Sequence, residues 1–195
     1  MSRLNEIIRQ PDEYRESDSK RNIKKWNNVI TLFYEERIDE LKQVCHHGGR
    51  GRIFAALVVD LFKMQRISYK QEPVFYGIEP DSWYVHFAEE NGIKLRTHDF
   101  YNPDFVLENG TWVEITLSEN TAYKKLFHHG HQADKLIVFW LDDDNGYHKE
   151  MCHSTCFPNA EVRCIENMFS QDETPESFEL ISRFRLLKEL KCIIP

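Results

Sequence analysis

The sequence predicts an α/β fold with a central mixed β-sheet flanked by α-helices, and three observations carry that expectation. Residues 102–118, "NPDFVLENGTWVEITLS", place β-branched and aromatic runs on either side of Asn109-Gly110, a strong turn signal. "KLIVFWL", 135–141, is continuously apolar, as suits a strand covered on both faces. Elsewhere, apolar residues recur at helical spacing.

Taken in order, residues 22–45 space Ile23, Trp26, Ile30, Phe33, Ile38, Leu41 and Val44 as one or two amphipathic helices would. "HHGGRGR", 46–52, interrupts with three glycines and reads as a flexible helix connector or as a stretch whose Arg50, Arg52 and glycine amides touch phosphates. "IFAALVVDLFKMQ" follows as a helix, apolar nearly all round and therefore central. "PVFYGIE", 73–79, predicts a strand, and a short helix is started by Pro80-Asp81 and stopped by Gly92. After the hairpin, 119–129 reads as a polar-capped helix leading to the strand at 135–141, with "AEVRCIE" as a late strand. "TPESFELISRFRLLKEL" closes the pattern as a helix with Thr174 at its cap and Pro175 in its first turn. The expected organisation is a single domain over 1–195, with a core at about 50–141, N-terminal helices over 1–45 and a C-terminal helix at about 175–191.

A chain of 195 residues, 41% of them apolar and 13% aromatic, suffices for one well-buried core. No stretch approaches the roughly 18 to 20 apolar residues of a membrane span, and "MSRLNEIIRQPDEYRESDSKR" lacks the apolar centre of a secretion signal, so a soluble intracellular protein is expected. Five cysteines, at 45, 152, 156, 164 and 192, suit reduced thiols better than a disulfide framework. A formal charge of −7 argues against a surface that coats nucleic acid, but not against a local acidic pocket that collects cations. His148, Cys152, His153 and Cys156 match no common zinc spacing, "HHGH" at 128–131 reads as a polar helix end, and Asp142 to Asp144 read as a solvated loop.

The hairpin carries an acid in each strand, Asp104 and Glu114. A two-residue Asn-Gly loop would set Asp104 opposite Ile115 and send the acids to opposite faces. A three-residue loop, Glu108-Asn109-Gly110 with Gly110 left-handed, sets Asp104 opposite Glu114. The second register puts Phe105, Leu107, Val113, Ile115 and Leu117 on one face and Asp104, Val106, Trp112, Glu114 and Thr116 on the other. That separation is cleaner, so it is the register predicted here. Two like charges about 4 Å apart repel by about 4 kcal/mol at an effective dielectric near 20. The pair therefore needs a proton, a Lys or Arg partner, or a metal ion. Asp60, in "LVVDLFKM", has the largely apolar helical neighbours Ala56, Leu57 and Met64, with Lys63 as its one charged companion, and Glu79 ends a strand.

Together, Pro103-Asp104, Glu114-Ile115-Thr116, the helix before them and the strand–helix–strand order resemble the PD-(D/E)XK nuclease superfamily. The lysine usual two residues after the glutamate is replaced by Thr116. The cap-snatching endonucleases of segmented negative-strand RNA virus polymerases share that departure and take a lysine from the following helix. "NPDFVLENGTWVEITLS" looks like their hairpin, "RIFAALVVDLF" like the core helix of the orthomyxovirus acidic polymerase subunit, and "YGIEPDSW" like its metal-binding strand end. The resemblance covers about residues 50 to 141.

It implies an endonuclease that cuts capped, single-stranded host RNA into primers with two Mn²⁺ or Mg²⁺ ions. By position, Asp104 would bridge the ions, Glu79 hold one, Glu114 and the Ile115 carbonyl the other, and Asp60 stand where the family has a histidine. His46 or His47 would take that role if the helix starts elsewhere. Lys125 or Lys124 would act with Glu114 and Asp104 in catalysis, Lys125 lying nearer the expected spacing. Other polymerase subunits or domains would be partners, in the virion and in the host nucleus or cytoplasm. The alternatives are a catalytically silent RNA-binding or scaffolding module and a DNA nuclease of the same fold.

Overall fold

The computed structural model describes residues 7–8, 25–45, 47–76, 86, 89–90, 92, 100–130, 132–142, 159–165 and 174–190. The chain divides into two compact units. The first comprises Met1–Gln10 and Ser68–Arg163; the second comprises Pro11–Ile67 and Cys164–Pro195. The fold is α/β, with a five-stranded mixed sheet.

In the first unit that sheet has the order β2 (Tyr69–Gln71), β5 (Phe105–Leu107), β6 (Trp112–Ser118), β7 (Leu136–Asp142), β8 (Ala160–Cys164). Pairs β2–β5 and β5–β6 are antiparallel, whereas β6–β7 is parallel. A parallel pair needs a crossover, supplied by the helix Glu119–His129. A second sheet joins β1 (Ile7–Ile8), β3 (Val74–Tyr76) and β4 (Phe100–Tyr101), all antiparallel. The short strands β1, β2 and β4 go beyond the sequence reading, because two or three residues are too few to show alternation.

The hairpin takes the three-residue loop. Phe105 pairs with Val113 and Val106 with Trp112, so the register is the one that sets Asp104 opposite Glu114. Gly110 has φ +81° and its N–H donates to the Leu107 carbonyl, while Thr111 N–H donates to Asn109 Oδ1. The predicted faces follow. Val106 and Trp112 pack with Ala122, Leu126, Leu136 and Val138 in one core, and the Phe75 ring stacks on Trp112 at 4.6 Å. On the other face Phe105, Val113, Ile115, Leu117 and Phe139 are buried too. β6 and β7 are thus covered on both sides, as the unbroken apolar run of β7 predicts.

In the second unit, α1 (25–34) and α2 (Ile38–Val44) are separated by a turn in which Glu36 has φ +56°. The helix α3 spans His47–Met64, which corrects the expected connector at 46–52: the glycine-rich stretch is helical from His47. The reason is close packing. A Cβ on Gly49 would lie 3.1 Å from Cys45 Sγ and 3.3 Å from Val29 Cγ1, so glycine lets these elements approach. Labelling the crossover helix of the first unit α4, the last helix, α5 (Pro175–Glu189), begins with the predicted Thr174 cap, whose side chain accepts from Ser177 N–H while Ser177 Oγ accepts from Thr174 N–H. Phe54 of α3 meets Phe184 of α5 edge-on at 5.9 Å.

The expected helix stop at Gly92 appears as φ +64° with a hydrogen bond to the Glu89 carbonyl. The segment 148–156, the end of the predicted strand at 77–79 and the start of the following helix lie outside the described residues. Among the described residues no helix is long and apolar enough to cross a membrane.

Two glycines of α3 should respond oppositely to alanine. A Cβ on Gly51 meets nothing within 4 Å, so Gly51→Ala should stabilise the protein by about 0.5–1 kcal/mol through helix propensity alone. Gly49→Ala should destabilise it by about 1 kcal/mol or more, as crowding outweighs the same gain. Equilibrium urea unfolding measures both; a stabilising Gly49→Ala would contradict the close-packing account.

Candidate functional site

The site is built by one hairpin and one helix of the first unit. Ser118 ends β6 and caps α4, its Oγ accepting from Thr121 N–H at 3.2 Å. That cap fixes the phase of the helix, which buries Ala122 and Leu126 against the sheet. Lys125 lies beside this stripe and reaches toward the hairpin. Its Nζ donates to Glu114 Oε2 at 2.5 Å and to Asp104 Oδ2 at 2.7 Å. Lys124, one residue earlier, is exposed. The two acids therefore meet, and the cation between them is the Lys125 ammonium.

Burial makes this arrangement consequential. Glu114 is 2% exposed, in the middle of β6, while the Asp104 side chain is 32% exposed. Asp104 Oδ2 also accepts from the Ile115 N–H at 2.8 Å, so backbone and ammonium together fix it. Two carboxylates share one ammonium, and the surplus negative charge shows in Asp104. Burial and the Glu114 charge push its carboxyl up to about 6 against the pull of Lys125 and the Ile115 N–H. For Lys125, burial works against the charge, but Glu114, Asp104 and its hydrogen bonds to both outweigh it and raise its pKa.

His129 completes the surroundings. One turn after Lys125, its Nε2 stands 3.6 Å from Glu114 Oε1, and its ring lies 6.1 Å from that of Trp112. The sequence reading treated this histidine as part of a polar helix end. The missed signal was its i+4 relation to Lys125, which puts both on the side of α4 that faces Glu114.

Asp60 belongs to the second unit, where it accepts a hydrogen bond from the Tyr34 hydroxyl and has Lys63 Nζ 3.7 Å from Oδ1. With Met64, Glu176, Glu179, Leu180 and Arg183 it lines a cavity of about 250 Å³. Arg50 donates to the Leu187 carbonyl at 3.2 Å, near the C-terminal end of α5, and the Arg52 guanidinium stands 6.0 Å over the Trp26 ring. Glu79 and His46 lie outside the described residues, and His47 is the first residue of α3.

Does this donor set fit a hard divalent ion? Asp104, Glu114 and the Ile115 carbonyl are oxygen donors of the kind Mg²⁺ and Mn²⁺ take. Glu114 Oε1 is buried with no hydrogen-bond partner among the described residues, and the acid pair carries one more negative charge than Lys125 neutralises. These two features fit a cation. Among the described residues, no group of three His, Cys, Asp or Glu side chains stands ready to hold an ion, so such a site would draw on water or backbone oxygens.

Removing the ammonium should expose the repulsion. Lys125→Ala should cost about 3–5 kcal/mol near pH 7.5, because it strands the buried Glu114 beside Asp104. Lys124→Ala should change stability by less than about 0.5 kcal/mol. Chemical denaturation measures both, and equal effects would contradict the bridging role of Lys125.

A pH series should isolate Asp104. Its folded-state pKa is raised from 3.8 to about 6, so its favourable contribution is full below about 4 and is lost as pH rises through about 6. The unfolding free energy of wild type minus that of Asp104→Asn should therefore fall between pH 4 and 6.5 and then level. A difference that rises over this window would mean that Lys125 outweighs burial and Glu114.

No family model, curated protein or solved structure matches the chain, so a functional reading rests on these residues and their geometry.

Proposed function

We propose that the chain is a divalent-metal-dependent RNA endonuclease of the PD-(D/E)XK type, one that cuts capped host RNA to make primers for a viral polymerase. The observation that carries the reading is the convergence of Asp104, Glu114 and Lys125 on one face of a hairpin and the helix that follows it. An aspartate and a glutamate opposed on a rigid sheet, with a lysine delivered from the crossover helix, are the parts that metal-assisted phosphodiester hydrolysis needs.

Asp104, Glu114 and the Ile115 carbonyl would hold Mg²⁺ or Mn²⁺, which when bound would polarise a phosphoryl oxygen and lower the pKa of a coordinated water. The residues of the chain do the rest. The Ile115 N–H fixes Asp104, so the carboxylate meets its ligand with little reorganisation. Lys125, which bonds both acids, is positioned to turn one of its three donors to a phosphate oxygen or to the attacking water once those carboxylates are otherwise neutralised.

A second reading is favoured by a specific observation. Lys125 already bonds both acids, as it would in a catalytically silent module that keeps the nuclease scaffold to bind RNA or polymerase subunits. Metal binding separates the two.

If the endonuclease reading holds, Mn²⁺ at one hundred times its dissociation constant should stabilise the protein by about 2.7 kcal/mol. That corresponds to a Tm rise of about 5 to 11 °C for a chain of this size. Asp104→Asn should lose most of the shift, and single-stranded RNA should be cleaved only with Mn²⁺ or Mg²⁺ present. A wild-type Tm indifferent to divalent ions would favour the silent module, and preferential cleavage of duplex DNA would favour a DNA nuclease of the same fold.

A further inference from the structure

The two oxygens of Glu114 have unequal surroundings. Oε2 accepts from Lys125 Nζ at 2.5 Å. Oε1 is buried and has no hydrogen-bond partner among the described residues, although buried carboxylate oxygens ordinarily have one. The group that faces it is His129 Nε2, at 3.6 Å, beyond hydrogen-bond reach. Lys125 and His129 stand one helical turn apart on α4, so each addresses a different oxygen of the same carboxylate.

A gap of 3.6 Å between a carboxylate oxygen and an imidazole nitrogen has a chemical counterpart. Two donors each about 2.2 Å from one ion lie roughly 3.1 Å apart across an octahedral right angle and roughly 3.6 Å apart at a near-tetrahedral one, so the observed gap is at the wide end of what one ion spans. The His129 side chain is 17% exposed and its ring lies beside Trp112, so the nitrogen is held where it stands. We infer that Glu114 Oε1 and His129 Nε2 form a two-donor seat for an imidazole-accepting divalent cation such as Mn²⁺, with Lys125 remaining on Oε2 and water completing the coordination. The inference rests on the metal-dependent reading of the site and adds to it a nitrogen ligand from α4. It also sets a preference: a seat with an imidazole should favour Mn²⁺ over Mg²⁺, which takes oxygen ligands.

Calorimetric titration of the full chain with Mn²⁺ and with Mg²⁺ tests this, using His129→Gln, which keeps a polar side chain, and Glu114→Gln, each checked for folding by circular dichroism. Wild type should bind Mn²⁺ more tightly than Mg²⁺. His129→Gln should weaken Mn²⁺ roughly tenfold or more, the loss that even an outer-shell partner can cause, and leave Mg²⁺ little changed. Pulsed electron paramagnetic resonance of bound Mn²⁺ should show coupling to an imidazole nitrogen in wild type and none in His129→Gln. If Glu114→Gln abolishes binding while His129→Gln keeps full Mn²⁺ affinity and wild type shows no nitrogen coupling, the seat is overturned and the metal-dependent reading stands. If wild type binds neither ion, both are overturned.

Discussion

A buried carboxylate in the middle of a sheet is the constraint around which the candidate site is organised. Glu114 sits on β6, a strand covered on both faces, where an unpaired charge would be costly to keep. Asp104 is set opposite it by the hairpin register, adding a second negative charge. The Lys125 ammonium offsets both, and its place follows from the cap at Ser118 and the buried stripe of Ala122 and Leu126. Loop geometry, strand register and helix phase therefore meet in one cluster, so a change in any of them disturbs the others.

The same cluster is unfinished in charge. One ammonium serves two carboxylates, Asp104 is driven toward neutrality, and one oxygen of Glu114 faces an imidazole across a gap too long for a hydrogen bond. A purely structural ion pair would be expected to close such gaps, since leaving a buried polar atom unsatisfied costs about 1–3 kcal/mol. Sites that bind a ligand keep them open, and this is the physical argument for function here.

What the sequence disclosed follows the range of the signals involved. The hairpin register was legible because alternation over Phe105, Leu107, Val113, Ile115 and Leu117 and the turn at Gly110 are local and agree. The α5 cap was legible for the same reason: Thr174, Pro175 and Ser177 lie within one turn. Choosing Lys125 over Lys124 drew on family spacing, because helix phase against a sheet depends on tertiary packing. His129 was passed over on that account. The glycines at 48, 49 and 51 looked like a break because glycine weakens an isolated helix, and nothing local announces that Cys45 and Val29 crowd Gly49. For Asp60 the local companion Lys63 was legible, whereas Tyr34, far from it in sequence, is a hydrogen-bond donor that nothing local announces.

The central claim is that Asp104 and Glu114 face one another in order to collect positive charge beyond what Lys125 supplies. Anomalous scattering from a crystal of the full chain soaked in Mn²⁺ tests it most directly. The account predicts a manganese peak within coordination distance of Glu114 and Asp104 carboxylate oxygens. Carboxylates still joined only through the Lys125 ammonium, with no manganese peak beside them at saturating Mn²⁺, would contradict it.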